Sequence, residues 1–140
     1  MLRLSGIYGP GRHALLDRLR DDAATLRGDG FHWVNQIHRD DVVSAVLHAT
    51  ALEDPATGCR ILNVTDDTPV LQRDYVEWLC SRLGRPPPRF APGDREGGSG
   101  RRGEFQANRR ISNRALRDLG WAPRFPSYRE GMAPLVKAEG

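Results

Sequence analysis

Apolar residues fall along this chain in short runs and in three- and four-residue rhythms, and the two patterns alternate. Residues 2–8, LRLSGIY, read as a short buried strand. From 13 to 27, Leu15, Leu19, Ala23 and Leu26 recur at helical spacing with Asp and Arg between them. That spacing predicts an amphipathic helix, stopped by Gly28 and Gly30. FHWVNQIH, 31–38, is a second extended segment. Asp40 and Asp41 then open a helix through about residue 53, where early acids suit the positive end of the helix dipole. Its apolar stripe reads as Val42, Val43, Val46 and Leu47. After a turn at Pro55 and Gly58, CRILNVT, 59–65, is a strand. DDTP leads into a helix over about 71–83, with Tyr75, Trp78, Leu79 and Leu83 as its buried set and Gly84 as its cap. RPPPRFAP fits neither a helix nor an inner strand. A short helix around 113–119 carries Leu116 and Leu119, and a last one over 127–137 carries Tyr128, Met132 and Val136. Strands alternating with helices place the chain in the α/β class.

One segment breaks the rhythm. Residues 93–107, GDREGGSGRRGEFQA, hold five glycines and almost no apolar side chain, so they cannot repay the entropy of ordering. The expectation is a flexible loop that serves as a lid over an anionic substrate, closing through Arg101 and Arg102, or as a plain surface loop.

Length and charge narrow the classes. With 140 residues the chain is at most one domain, too short for a six-stranded doubly wound sheet. No run of about 18 apolar residues marks a membrane span, and no apolar signal segment follows Arg3, so the expected location is cytoplasmic. The formal charge is +3. Acids and bases nevertheless alternate through LLDRLRDDAATLR and HRDDVV, as on solvated helix faces. Only GSGRRGEFQANRR concentrates positive charge, and nucleic acid is not the expected partner. Of the 21 basic residues only Lys137 is a lysine, which with abundant Ala, Gly and Pro reads as a GC-rich bacterial coding bias. Cys59 and Cys80 stand apart from any ligand cluster, so buried free thiols are expected and no metal site.

The opening glycines, Gly6-x-x-Gly9-x-Gly11, raise the possibility of a phosphate cradle. Tyr8 puts a bulky ring inside that turn and Pro10 removes an N–H donor, whereas a cradle needs small residues and free amides. The next extended segment ends in Asn35-Gln36, not in the acid that holds a ribose. A tight strand-to-helix turn accounts for the glycines.

Four stretches in order resemble a known family. LRLSGIYGPGR is similar to a late strand and its YGPG-type loop in the extended and atypical short-chain dehydrogenases/reductases, the NAD-dependent epimerase/dehydratase family. NQIHRDDVVSAVLHA resembles that family's IHVDD segment, and GCRILNVTDDTPVLQRDYVEWLCSRLG its YNVVDDEPV strand and following helix. NRRISNRALRDLGWAPRFPSYREGM resembles its C-terminal substrate-side segment. The resemblance covers nearly all of the chain in one register. It implies a partial Rossmann-like fold, the C-terminal half, as a single partial domain over 1–140. Late Rossmann strands and helices would occupy 1–66 and a substrate-side region 67–140.

The resemblance also implies a pocket wall. Tyr8, Gly9, Pro10, Gly11 and Arg12 would line the nicotinamide and substrate side, with Arg12 as an anion contact or as the partner of a nearby Asp. Asn108, Arg109 and Arg110 match the family's Asn-Lys-Arg triplet and would hold a substrate phosphate or cover the surface. The intact family uses NAD or NADP and small-molecule substrates, such as nucleotide-sugars or other anionic metabolites. Its Tyr-x-x-x-Lys dyad is missing here: Tyr8, Tyr75 and Tyr128 are followed four residues on by Arg12, Leu79 and Met132. No catalytic residue is therefore assigned, no cofactor is expected to bind tightly, and the chain is expected to be inactive alone. Its implied partners are a cofactor-binding N-terminal half or a second copy. His38 beside Asp40 and Asp41 is a possible acid/base group or simply a helix start. The alternative is a small basic binding module or pairing domain without enzymatic activity.

Overall fold

A computed structural model describes residues 1–21, 24–52, 60–91 and 108–137. The expectations placed on Ala23, Pro55, Gly58, Cys59 and the loop 93–107 fall outside those residues. In chain order the elements are β1 (Leu2–Leu4), β2 (Gly6–Tyr8), α1 (Ala14–Leu19), β3 (Leu26–Arg27), β4 (Trp33–Val34), β5 (Gln36–His38), α2 (Arg39–Ala51), β6 (Leu62–Val64), β7 (Val70–Leu71), α3 (Gln72–Leu83), β8 (Phe90–Ala91), α4 (Arg114–Arg117) and α5 (Tyr128–Lys137). They form two compact units, each drawn from separated stretches: Met1–His13, Val34–Pro69 and Ile111–Gly140 in the first, Ala14–Trp33 and Val70–Arg110 in the second.

In the first unit, β1 and β2 are successive halves of one extended segment that changes partner midway. β1 runs parallel to β6, with Leu2 opposite Leu62 and Leu4 opposite Val64. β2 runs parallel to β5, with Gly6 opposite Gln36 and Tyr8 opposite His38. At the handover the Ser5 amide donates to the Val64 carbonyl and the next amide, Gly6, to the Asn35 carbonyl, each at 3.1 Å, so neither donor is orphaned. A Cβ at position 6 would sit 3.2 Å from that Asn35 oxygen. Ile37, Ala45, Leu62, Val64, Leu116 and Trp121 close the core around this segment.

α2 begins where its acids predict, but its buried face is different. Val43, Val46 and Leu47 are 58%, 42% and 64% exposed, while Asp41 and Ala45 are fully buried. Of the expected stripe only Val42 packs against the core. The helix is rotated by the Asp41 carboxylate, whose two oxygens accept from the Arg124 amide at 2.6 Å and the Phe125 amide at 3.0 Å. Periodicity of apolar residues carries no information about such a polar anchor.

In the second unit the helix expected over 13–27 ends at Leu19. Beyond it the Arg20 and Asp21 amides turn back to Asp17 and Arg18, and Leu26–Arg27 pairs in parallel with Phe90–Ala91. Pairing between distant segments overrides the local helical rhythm. α3 follows its expected span. Tyr75, Val76, Leu79 and Cys80 are its buried set, with Trp78 and Leu83 half-buried. Gly84 ends it in the left-handed conformation at φ 68°, and the Arg85 amide closes on the Cys80 carbonyl at 3.0 Å. Cys80 is a buried free thiol, as expected. Tyr128, Met132 and Val136 are buried on α5. None of the described helices is long and apolar enough to cross a membrane.

Candidate functional site

β2 delivers Tyr8 into a turn that is tied down on both flanks. Gly9 and Arg12 exchange backbone hydrogen bonds at 3.1 and 2.9 Å. Arg12 Nε donates to the Ile7 carbonyl at 3.1 Å, and Arg39 Nη1 donates to the Pro10 carbonyl at 2.9 Å. Gly11 takes φ 74°, open to glycine at no steric cost. The result is a rigid loop with Pro10, Gly11 and Arg12 exposed and Tyr8 only 3% exposed. Tyr8 lies against α5, where a Cβ on Gly131 would collide with its hydroxyl. The five residues singled out from the sequence are thus brought together, and Arg12 is exposed while its Nε serves the turn.

His38 stands directly behind this turn, opposite Tyr8 in the strand register. The two rings meet edge to face with centroids 5.3 Å apart, and Phe125 packs on the other side at 4.1 Å. Nδ1 accepts from the Asp40 amide at 3.2 Å and so caps α2. Burial pushes the His38 pKa below 6.5; Asp40 and Asp41 pull it up, and Arg39 and Arg124 push it further down. The imidazole is neutral at pH 7. Of the possible acid/base set, Asp41 spends both oxygens on the backbone of Arg124 and Phe125, and Asp40 lies 3.7 Å from Nδ1.

Two further acids, read from the sequence only as a turn, are structural features of this region. Asp66 is 2% exposed. Its amide donates to the Gln36 carbonyl at 2.8 Å, its Oδ1 accepts from Thr68 N at 3.1 Å, and its Oδ2 is buried with no partner among the described residues. Burial drives its pKa to about 7, helped by the charges of Asp67, Glu130 and Asp41 and opposed by the Thr68 amide. Asp67 goes the other way. Burial would raise it, but hydrogen bonds from Arg117 and Asn113 and the Arg117 charge hold it below the usual range. The signal in the sequence was a pair of acids closing a buried strand, where solvation is lost first.

Asn108 and Arg110 belong to the second unit. Asn108 clamps the backbone of the 31–33 segment, accepting from Trp33 N at 2.6 Å and donating to the Phe31 carbonyl at 3.1 Å. Arg110 lies over the Trp33 ring at 4.7 Å. Arg109 is exposed beside them. A groove of about 350 Å³ in that unit is lined by Leu19, Thr25, Arg85, three prolines and Arg89, and none of the singled-out residues line it. Among the described residues no group of three or more His, Cys, Asp or Glu is placed to hold a metal ion.

No family model matches the chain. Individual proteins do. Over 94% of its length the chain is 34% identical to a 3-diazoavenalumate denitrifying reductase of Streptomyces, of which it spans 45%. A solved structure of a provisional NAD-dependent epimerase/dehydratase from Methylobacillus flagellatus matches 99% of this chain with 27% identity and a TM-score of 0.69, over 46% of its own length. MoeE5, solved with UDP-glucuronic acid and NAD, matches 97% of this chain with 26% identity and a TM-score of 0.70, over 45% of its own length.

The chain resembles one half of an NAD-dependent epimerase/dehydratase. The likeness runs through the whole chain and fewer than half of the residues of each of these enzymes. The fold is accordingly a partial Rossmann-like α/β arrangement whose described strands form two-stranded pairs. The turn Tyr8–Arg12 is held by its own backbone hydrogen bonds and by Arg39, and the sequence carries no Tyr-x-x-x-Lys pair.

Proposed function

We propose that this chain is the C-terminal, substrate-side portion of an NAD(P)-dependent epimerase/dehydratase or reductase-type enzyme, and that Tyr8 to Arg12 with His38 form part of the wall of its nicotinamide and substrate pocket. The observation that carries the reading is the continuous match of nearly the whole chain to about 45% of each relative, with the pinned turn at its exposed edge. The ligand class is a small anionic metabolite, nucleotide-sugars among them, since MoeE5 binds one together with NAD. NAD or NADP would be held chiefly by a cofactor-binding half outside this match. The cofactor supplies hydride chemistry when bound. This chain's residues orient the substrate: the exposed Arg12 guanidinium offers a charge-assisted bond to a carboxylate or phosphate, and the buried Tyr8 and His38 rings exclude water behind it.

The test joins the chain to the unmatched half of the Streptomyces reductase. The chain alone should neither turn over NADH or NADPH nor bind them saturably by fluorescence titration, whereas the joined protein should bind them. Hydride transfer by the isolated chain above background would refute the reading.

A further inference from the structure

The sequence singled out His38 only as one of an acid/base group, and the fold gives it a narrower task. Nδ1 is committed to the Asp40 amide. A nitrogen that accepts a hydrogen bond from a backbone N–H carries no proton, so in the neutral ring the proton is on Nε2. The ring cannot swing away, being fixed between Tyr8 and Phe125. Nε2 looks toward Gly9: a Cβ there would stand 3.4 Å from Nε2 and 3.0 Å from the Arg39 side chain. Gly9 has none, and its φ of 151° is one that other residues rarely adopt. Among the described residues Nε2 makes no hydrogen bond, the ring's bond being the one at Nδ1. The side chain is also not sealed, with 5% of its surface open.

We propose that His38 is a fixed, uncharged hydrogen-bond donor of the pocket wall, presenting Nε2–H past Gly9 to an oxygen acceptor of a bound small molecule, a hydroxyl, carbonyl or phosphate oxygen. This rests on the pocket-wall reading above. It reverses the acid/base expectation, because a ring whose second nitrogen caps a helix cannot gain a proton without uncapping α2. It also divides the labour at the turn. Arg12 reads charge, whereas His38 reads the position of one acceptor and rejects a ligand that brings a donor there, since a buried donor facing a donor loses its bond.

The experiment is nitrogen-15 NMR of the histidine side chains in the full chain at pH 7. The expected spectrum has His38 protonated at Nε2 and bare at Nδ1. Inorganic phosphate, glucose and UDP-glucose are then added as separate probes, with the Gly9 and Gly11 amides as reporters of binding at the turn. A change at Nε2–H with slower exchange against water supports the proposal. If it comes with phosphate and UDP-glucose, the acceptor is a phosphate oxygen; if with glucose and UDP-glucose, a hydroxyl. Protonation at Nδ1 overturns it. So does movement of the Gly9 and Gly11 amides without movement at Nε2, which leaves the pocket-wall reading standing. Silence at all of these with all three probes overturns the donor proposal, while the pocket-wall reading is judged separately by the joined protein.

Discussion

Replacing Asp66 by Asn should make the protein more stable above neutral pH and leave it unchanged in acid. The residue is 2% exposed, with one carboxyl oxygen on the Thr68 amide and the other without a partner among the described residues. Its folded pKa of about 7 stands against an ordinary value of 3.8. A raised acid favours the folded state in its protonated form. That contribution is fully present below the unfolded value, declines as pH rises, and is gone once the folded value is passed. The distance between the two values, at about 1.36 kcal/mol per pH unit, sets an upper limit of ~4 kcal/mol. Asn keeps the shape and the acceptor for Thr68 and cannot ionise. Urea unfolding at intervals from pH 3.5 to 8.5 should therefore show two curves that coincide at the acid end and separate toward pH 7, with Asp66→Asn above. The neighbouring Asp67, held low by Arg117 and Asn113, tilts both curves the opposite way, losing stability as pH falls. The two acids repel one another, so the difference between the curves reports Asp66 together with its coupling to Asp67. A variant no more stable than the parent at pH 8, or a difference that does not change with pH, would refute the reasoning.

Two other substitutions probe the packing around the turn. Gly131→Ala should cost about 1–3 kcal/mol, the usual penalty of overpacking, because the new methyl meets the Tyr8 hydroxyl and ring carbons 2.8 Å away; thermal melts measure it, and an unchanged melting temperature would show that Tyr8 is free to move. Asp41→Ala strips the acceptor from the part-buried Arg124 and Phe125 amides and should cost up to ~6 kcal/mol, at about 1–3 kcal/mol for each donor left unpaired and less where water reaches it. Asp41→Asn, keeping one acceptor oxygen, should recover part of that loss in the same urea titration.

The elements whose burial is decided locally were legible in the sequence. α3 carries its apolar residues, its turn and its glycine cap within one short stretch, and α5 places Tyr128, Met132 and Val136 where their spacing predicts. The failures share a cause. Leu26 belongs to a helical rhythm but sits in a strand because Phe90 lies beside it. Val43, Val46 and Leu47 form a convincing stripe that stays in solvent because Asp41, not an apolar residue, fixes the rotation of α2. At the site, the Tyr8–Arg12 turn was visible because glycine and proline have few uses. The tautomer of His38 was not, because it depends on where the Asp40 amide falls once the helix has formed. Asp66 looked like a turn residue since nothing in DDTP tells that the strand before it ends inside the core.

The handover at Ser5–Gly6 has a bearing on how the protein comes into being. Leu2 waits for Leu62, and Gly6 waits for Gln36. Residues 2–8 have no hairpin partner nearby, and their two halves pair only with segments far along the chain. Loop-closure entropy is met before any of these pairings repays it, which places this topology among the slow folders. Until those pairings form, residues 2–8 are open to capture by a chaperone or by another strand.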